Sequence, residues 1–381
     1  MQLSAREQLL QFAHVLQTSL YPRLEEEIGE LDSQAKLLTS VLAMAHPSHL
    51  LQRGRYVGRP SRDRSALAAA FLAKSVYHCD TTRQLMRQLR VNAQLRQLCG
   101  WRAISALPHE STFSRAFAEF AQSELPQRLH RALIEATQGT RLIGHISRDS
   151  TAIAARERFP RADPASTKSV GKRRYQKRPK RAKAKERGTF IERQRHMPVE
   201  QILAQLPKQC AIGVKKSSQG NEQYWRGYKL HLDVADGQIP ISAILTGANV
   251  HDATVAIPLM KMSAQRVTWL YDVMDSAYDA SAILEQSRAM DHVPIVQPHP
   301  RRNGKSKSQL PKIFEPKLAP EMTWAEQDRY KERSTVERVH ARLKDEFGAR
   351  HVRVRGASKV FAHLTFGLIA LTVDQLLKLT G

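Results

Sequence analysis

The stretch 228–274, YKLHLDVADGQIPISAILTGANVHDATVAIPLMKMSAQRVTWLYDVM, decides the fold. Tyr228–Val234 alternates with the period of a half-buried strand. Asp236-Gly237 signals a turn, and Ile239–Leu245 reads as the returning strand. Asn249–Asp252 then starts a helix that runs to about Met262, and Val267–Met274 is an apolar run of strand length. Upstream, Leu142–Ile146 reads as a buried strand ending at Arg148-Asp149-Ser150-Thr151. Downstream come a helix over Ala280–Ala289, a short strand over His292–Val296, one long helix over roughly Trp324–Phe347, and another over Ser358–Leu379. A hairpin followed by alternating helices and strands predicts an α/β fold, a sheet with helices packed on it.

Residues 1–138 read differently. Leu9, Phe12, Val15 and Leu16 recur at helical spacing, Ser65–Val76 contains neither Gly nor Pro, and Thr81 or Thr82 caps a following helix. Glu110–Thr112 starts another helix, with Phe113, Phe117 and Phe120 behind it. Short helices joined by tight turns suit a helix-turn-helix-like module or a plain helical bundle. The division is therefore a helical domain at 1–138 and an α/β domain at 139–381, with a basic insert at about 156–221.

The chain has 381 residues and carries 60 Lys+Arg against 36 Asp+Glu, a net charge of +24. An excess of that size favours polyanions, nucleic acid before an anionic membrane. It is concentrated: 168–195, KSVGKRRYQKRPKRAKAKERGTFIERQR, holds 13 Lys/Arg and two Glu. Lys172, Arg173, Arg174, Lys177, Arg178, Lys180 and Arg181 form its densest run, read as a phosphate-binding arm, with a solvated loop as the alternative. No run of about 18 apolar residues is evident, and the N-terminus lacks the apolar core of a signal peptide. Cys79, Cys99 and Cys210 are too few and too scattered for a disulfide framework or a zinc site. No GxxxxGK[ST] loop is present, which argues against nucleotide hydrolysis.

In so basic a chain the placement of acids is informative. Asp149 ends the first strand, Asp275 follows the fourth, and Glu337 lies in the long helix. Three carboxylates converging at one sheet edge would suit hard cations and phosphodiester chemistry. Each also has an ordinary reading: Asp149 as a turn cap, Asp275 as a helix cap, Glu337 as a partner of Arg333. Asp272 and Asp279 compete with Asp275. At about 100° per residue, Arg333, Glu337 and Lys344 fall at roughly −60°, −20° and −40° from Tyr330, one narrow stripe. An acid flanked by Arg and Lys is what DNA strand chemistry needs. His251-Asp252 reads either as a helix start or as a chemically active pair. Arg350, Arg353 and Arg355 alternate with Val352 and Val354, as a backbone track or an exposed strand edge. Trp225 and Trp324 read as packing residues, with base stacking as the alternative.

Tyr330-x2-Arg333-x3-Glu337-x6-Lys344 resembles the Tyr-Arg-Glu-Lys signature of bacterial insertion-sequence transposases of the DDE class. Asp149 in SRDSTAI and Asp275 in MDSAYDA resemble that family's aspartate segments, with Ala277 where the family usually has Gly and Met274 where a small residue is common. Gly227–His231, Ala248–Asp252, Gly58-Arg59-Pro60 and Ser111–Arg115 add to the likeness, which runs from about residue 55 to 356. The resemblance implies a ribonuclease H-like mixed sheet flanked by helices, behind an all-helical N-terminal DNA-binding domain. It implies Asp149, Asp275 and Glu337 as catalytic acids and ligands of two Mg²⁺ ions, with Mn²⁺ as a substitute. Tyr330, Arg333 and Lys344 would contact DNA phosphates. The partners implied are double-stranded DNA at the terminal repeats and target, with no membrane, and a homodimer or higher assembly on DNA in the bacterial cytoplasm. The activity implied is cleavage and strand transfer at insertion-sequence ends. A non-transposing nuclease on the same fold, or a non-catalytic DNA-binding derivative, would share these features.

Overall fold

The computed structural model describes residues 5–51, 62–157, 189–216, 221–298 and 322–380. The arm from Lys172 to Arg181 and Gly58-Arg59-Pro60 lie outside the described residues. Eight helices open the chain: α1 (Ala5–Val15), α2 (Tyr21–Ile28), α3 (Ser33–Ala45), α4 (Arg64–Val76), α5 (Thr82–Val91), α6 (Ala93–Leu98), α7 (Glu110–Gln122) and α8 (Leu125–Gln138). Their starts follow the caps. The Asp32 carboxylate accepts from the Ala35 N–H at 2.7 Å, and Thr81 and Gln84 form a reciprocal capping box. In α4 every residue from Ala66 to Val76 is buried, and its alanines let neighbouring helices approach closely.

The sheet begins with β1 (Leu142–Ala154). Beyond it α9 (Phe190–Gln194) and α10 (Val199–Gln205) lead to β2 (Ala211–Lys216), β3 (Glu222–Ala235) and β4 (Ile239–Gly247). Then follow α11 (Ala253–Ala264), β5 (Thr268–Met274), α12 (Ser281–Arg288) and β6 (Val293–Val296). The strand order is β4-β3-β1-β5-β6, with β2 pairing the first half of β3. β1, β5 and β6 are parallel, whereas β3 runs antiparallel to β1, β2 and β4. This mixed sheet behind a helical N-terminal region is consistent with the ribonuclease H-like fold that the resemblance implied.

Two boundaries differ from the sequence reading. β1 runs on to Ala154, because β3 pairs with its second half from Arg148↔Asp233 to Ala154↔Gly227. Asp149 therefore sits inside the strand and not at its end. The later part of the insert is also built into the structure. α9 packs on α11, where Lys261 Nζ donates to the carbonyls of Gln194, Arg195 and Met197 at 2.7–2.9 Å.

The expected long helix is two, α13 (Trp324–Lys331) and α14 (Ser334–Asp345). The break coincides with two side-chain contacts on helix carbonyls, one of them from a distant strand. Ser147 on β1 donates its hydroxyl to the Glu332 carbonyl at 2.8 Å, and Ser334 Oγ donates to the Lys331 carbonyl. Side-chain donors on helix carbonyls turn the axis there. The continuous stripe from Tyr330 to Lys344 is thus interrupted after Tyr330.

The last helix, α15 (Ala357–Lys378), is long and apolar enough to cross a membrane by length and composition, contrary to the sequence reading. It is the central core helix, packed against α3, α4, α7, α8 and β4. Its polar side chains are paired locally: Thr365 and Thr372 donate to carbonyls one turn back, and His363 Nε2 meets the Gly348 carbonyl at 3.0 Å. One buried apolar cluster runs from the N-terminal helices through α15 to the sheet.

Candidate active site

Residues of β1 alternate between the two faces of the sheet. Ser147 and Thr151 point towards the α13–α14 side: Ser147 reaches the Glu332 carbonyl, and Lys344 Nζ on α14 donates to Thr151 Oγ1 at 2.6 Å. Asp149 lies between these anchors and faces α14, the helix that carries Glu337. Asp275 comes from the neighbouring parallel strand. The register pairs Arg148 with Met274, so the next residues, Asp149 and Asp275, stand side by side at about 4.8 Å strand spacing. Asp275 Oδ1 then accepts from the Ala277 N–H at 2.8 Å and closes a 3-10 turn over Ser276–Tyr278. Ala277 keeps a negative φ, so the turn is tight without the glycine usual in the family.

The opposite face of β1 holds the acids in place. Arg148 is fully buried and donates to both Asp233 oxygens at 2.7 and 2.9 Å, to Asp272 at 3.3 Å, and to Met274 Sδ at 3.1 Å. Asp233 also accepts from Ser263 on α11, and Asp272 from Ser287 on α12. Asp272, a rival of Asp275 in the sequence reading, is thus a structural partner of Arg148. Met274 supplies a sulfur that Arg148 uses.

Burial pushes the Asp149 carboxyl up to about 7, and Asp275, Asp252 and Glu337 push in the same direction. Burial also raises Asp275, with Asp252 adding to it and Arg333 opposing. The Glu337 carboxylate is about half exposed and pairs with Arg333 at 2.7 Å. Burial and the nearby Lys215 and Arg350 lower the Lys344 ammonium. The Tyr330 hydroxyl donates to Gln297 Oε1 at 3.2 Å, and burial raises it. Among the described residues, no three acids, histidines or cysteines are gathered closely enough to grip one ion as they stand. Asp149 and Asp275 are brought together by the β1–β5 register, and Glu337 reaches Asp149 electrostatically while held by Arg333.

A fourth acid, Asp252, enters the sequence reading only as part of the His251-Asp252 pair and is not placed there among the catalytic acids. Asp252 stands at the N-cap of α11, but its carboxylate does not cap the helix. It accepts instead from Ser150 Oγ at 2.8 Å and Lys229 Nζ at 3.1 Å, with His231 Nδ1 3.8 Å away. Burial works against its ionisation, yet His231, Lys229 and Ser150 hold it below the usual carboxylate range. Its signal was the His251-Asp252 pair, which also fits a helix start. Arg350 pairs with Asp345, and Arg353 and Arg355 are exposed while Val352 is buried, outside any strand. Trp324 is exposed, and Trp225 packs over Gly213.

A family model described as a transposase DDE domain matches residues 149–373, more than half of the chain. The chain belongs to this family. A second model, described as a transposase domain, matches residues 26–119 in the helical region. Together they make the protein an insertion-sequence transposase of the DDE class. A search of curated proteins found no match.

Proposed function

We propose that this transposase cleaves DNA at the ends of an insertion sequence and transfers the freed 3′-hydroxyls to target DNA, with Asp149, Asp275 and Glu337 as its catalytic acids. The observation that carries this reading is that Asp149 and Asp275 each directly follow a paired residue of the parallel strands β1 and β5, Arg148 and Met274, beside the helix that bears Glu337. The three acids fit Mg²⁺, with Mn²⁺ as a substitute. They are hard oxygen donors, and the like charges around Asp149 call for a cation. When bound, two such ions activate the attacking oxygen and stabilise the leaving one.

The chain's own residues supply the rest. Asp149 and Asp275 stay fixed because Arg148 clamps the strands beneath them. Glu337, freed when Arg333 moves to a DNA phosphate, would be the third residue to hold the metal ions, an exchange of one charge-assisted partner of Arg333 for another. Lys344, held by Thr151, binds a phosphate on the same side, and Tyr330 orients the backbone beside them. The helical region 1–138 grips terminal DNA, and the arm through Lys172, Arg173, Arg174, Lys177, Arg178, Lys180 and Arg181 tracks phosphates without reading sequence. Two ends must be joined, so the working form is a homodimer or higher assembly on DNA.

The decisive assay is nicking of a labelled duplex carrying the element's terminal repeat, with Mg²⁺ or Mn²⁺ supplied. Asp149→Ala and Glu337→Gln should each abolish product. Unchanged nicking in either variant would remove that residue from the triad. Cleavage without strand-transfer product would make the protein a plain nuclease. Binding with no metal-dependent product would make it a non-catalytic DNA-binding derivative.

A further inference from the structure

Between β4 and α11 the chain makes a turn that is pinned from two strands. Lys229 on β3 donates from Nζ to the Val250 carbonyl at 3.0 Å and to Asp252 Oδ1 at 3.1 Å. Ser150 on β1, the immediate neighbour of Asp149, donates to the same Asp252 oxygen at 2.8 Å. Along the backbone, the Val250 N–H returns to the Gly247 carbonyl and the Thr254 N–H to the His251 carbonyl. The residues on either side of His251 are thus held by β3 and, through Asp252, by β1.

His251 itself is exposed at this turn. Its Nδ1 accepts from the Ala253 N–H at 3.3 Å. A ring nitrogen that accepts cannot carry the proton, so the neutral imidazole bears it on Nε2. Nε2 meets no partner among the described residues, so an oriented ring keeps one donor uncommitted. The ring stands by the acids, close enough for a charge on it to oppose the rise of the Asp275 carboxyl. Ser150 and Thr151 point to opposite faces of β1, where they meet Asp252 and Lys344. The start of α11 and helix α14 therefore flank the acid edge from its two sides. Arg333 and Lys344 are cations of the α14 side. On the α11 side Lys229 is engaged by Val250 and Asp252, and His251 is an open donor.

We propose that His251 is a further DNA-contacting residue of the catalytic site, donating its Nε2–H to a non-bridging oxygen of the phosphate that lies over Asp149 and Asp275. Asp275, Asp252 and Glu337 all add to the negative field at Asp149, so a phosphate seated there needs donors to offset repulsion. A donor already aimed costs no reorganisation when DNA arrives. Arg333 must leave Glu337 before it can take a phosphate, whereas the His251 donor is open in the free protein. A helix-starting role is the competing account, because the bond from Ala253 to Nδ1 serves α11 alone. That role makes no use of Nε2, and this separates the two by experiment.

The contact rests on the reading of these acids as a DNA-cleaving site, but it is measured by binding with a chelator present. A protein that binds the terminal repeat and never nicks it would therefore count against the cleavage reading alone. Duplexes carrying the repeat are made with one neutral methylphosphonate, placed in turn at each phosphate around the cleavage position. Wild type should lose about tenfold to a hundredfold in affinity when the contacted phosphate is neutralised, as expected for a hydrogen bond to a charged group. His251→Ala should bind the unmodified duplex more weakly by a similar factor and be indifferent to that one methylphosphonate. His251→Gln keeps an amide donor and should regain most of the affinity. Melting temperature controls for folding in both variants. Equal responses of wild type and His251→Ala at every position would overturn the proposal. So would a lowered melting temperature in His251→Ala with unchanged affinity, which would leave the residue a helix start.

Discussion

At the scale of single residues, Asp149 concentrates the electrostatic cost of the site. Enclosure and three neighbouring acids raise its carboxyl to about 7, against 3.8 for the ordinary group. Between those values the folded chain holds a proton that the unfolded chain releases. Stability therefore falls as pH climbs through that window, and the ionised group costs most above 7, by at most about 4 kcal/mol. With a chelator present, the melting temperature should fall from pH 5 to pH 8 and recover at pH 8 on adding Mg²⁺ or Mn²⁺. Asp149→Asn should be flatter with pH and indifferent to the metal. An equal pH slope in both proteins would show that Asp149 is not the strained group. The same balance explains why Asp252 stands apart. Lys229, His231 and Ser150 compensate it, so it adds to the field at Asp149 without sharing its strain.

At the scale of elements, Arg148 joins the strands that present the acids. It sits on β1, one residue before Asp149, and reaches Asp233 on β3 and Asp272 on β5 with no exposure of any of the three. Removing the guanidinium leaves two buried carboxylates unpaired, and such losses cost roughly 3–5 kcal/mol. Arg148→Met should show that loss in chemical denaturation, together with impaired nicking at temperatures where the protein remains folded. A cost below about 1 kcal/mol would mean that the carboxylates simply take up protons. Elements of this kind were unevenly legible. The hairpin 228–245 and strand 268–274 could be read because alternation and turn residues are local signals. The second half of β1 could not, since Ile153 is the one large apolar residue in Ser150–Ala154 and the segment becomes a strand through pairing with β3. β2 was hidden because Ile212 and Val214 point outward, against the usual pattern. The α13–α14 break depends on Ser147, 185 residues away. Asp149, Asp275 and Glu337 were singled out by type and spacing, whereas their mutual arrangement required the register.

At the scale of the whole molecule, the charge of +24 and the buried core belong to different parts of the chain. The core is continuous: Phe113, Phe117 and Phe120 of the helical region gather around Phe71, and Phe71 and Phe117 meet Phe366 of α15, a helix that also packs on β4. The helical region and the sheet therefore share one apolar core. Almost half of the charge sits elsewhere, in the segment 168–195 with its 13 Lys/Arg against two Glu. Lys172, Arg173, Arg174, Lys177, Arg178, Lys180 and Arg181 have few apolar neighbours in sequence with which to pack, so changing them should leave the melting temperature unaltered. Replacing all seven by Gln should weaken binding to the terminal repeat and to an unrelated duplex by the same factor. The slope of log affinity against log salt should drop by at most about 6, which is the limit if every one of the seven meets a phosphate. A greater loss on the terminal repeat than on the unrelated duplex would give the segment a part in reading sequence. An unchanged slope on both would make it a bystander, and the grip on DNA would then fall to the helical region and the cations beside Glu337.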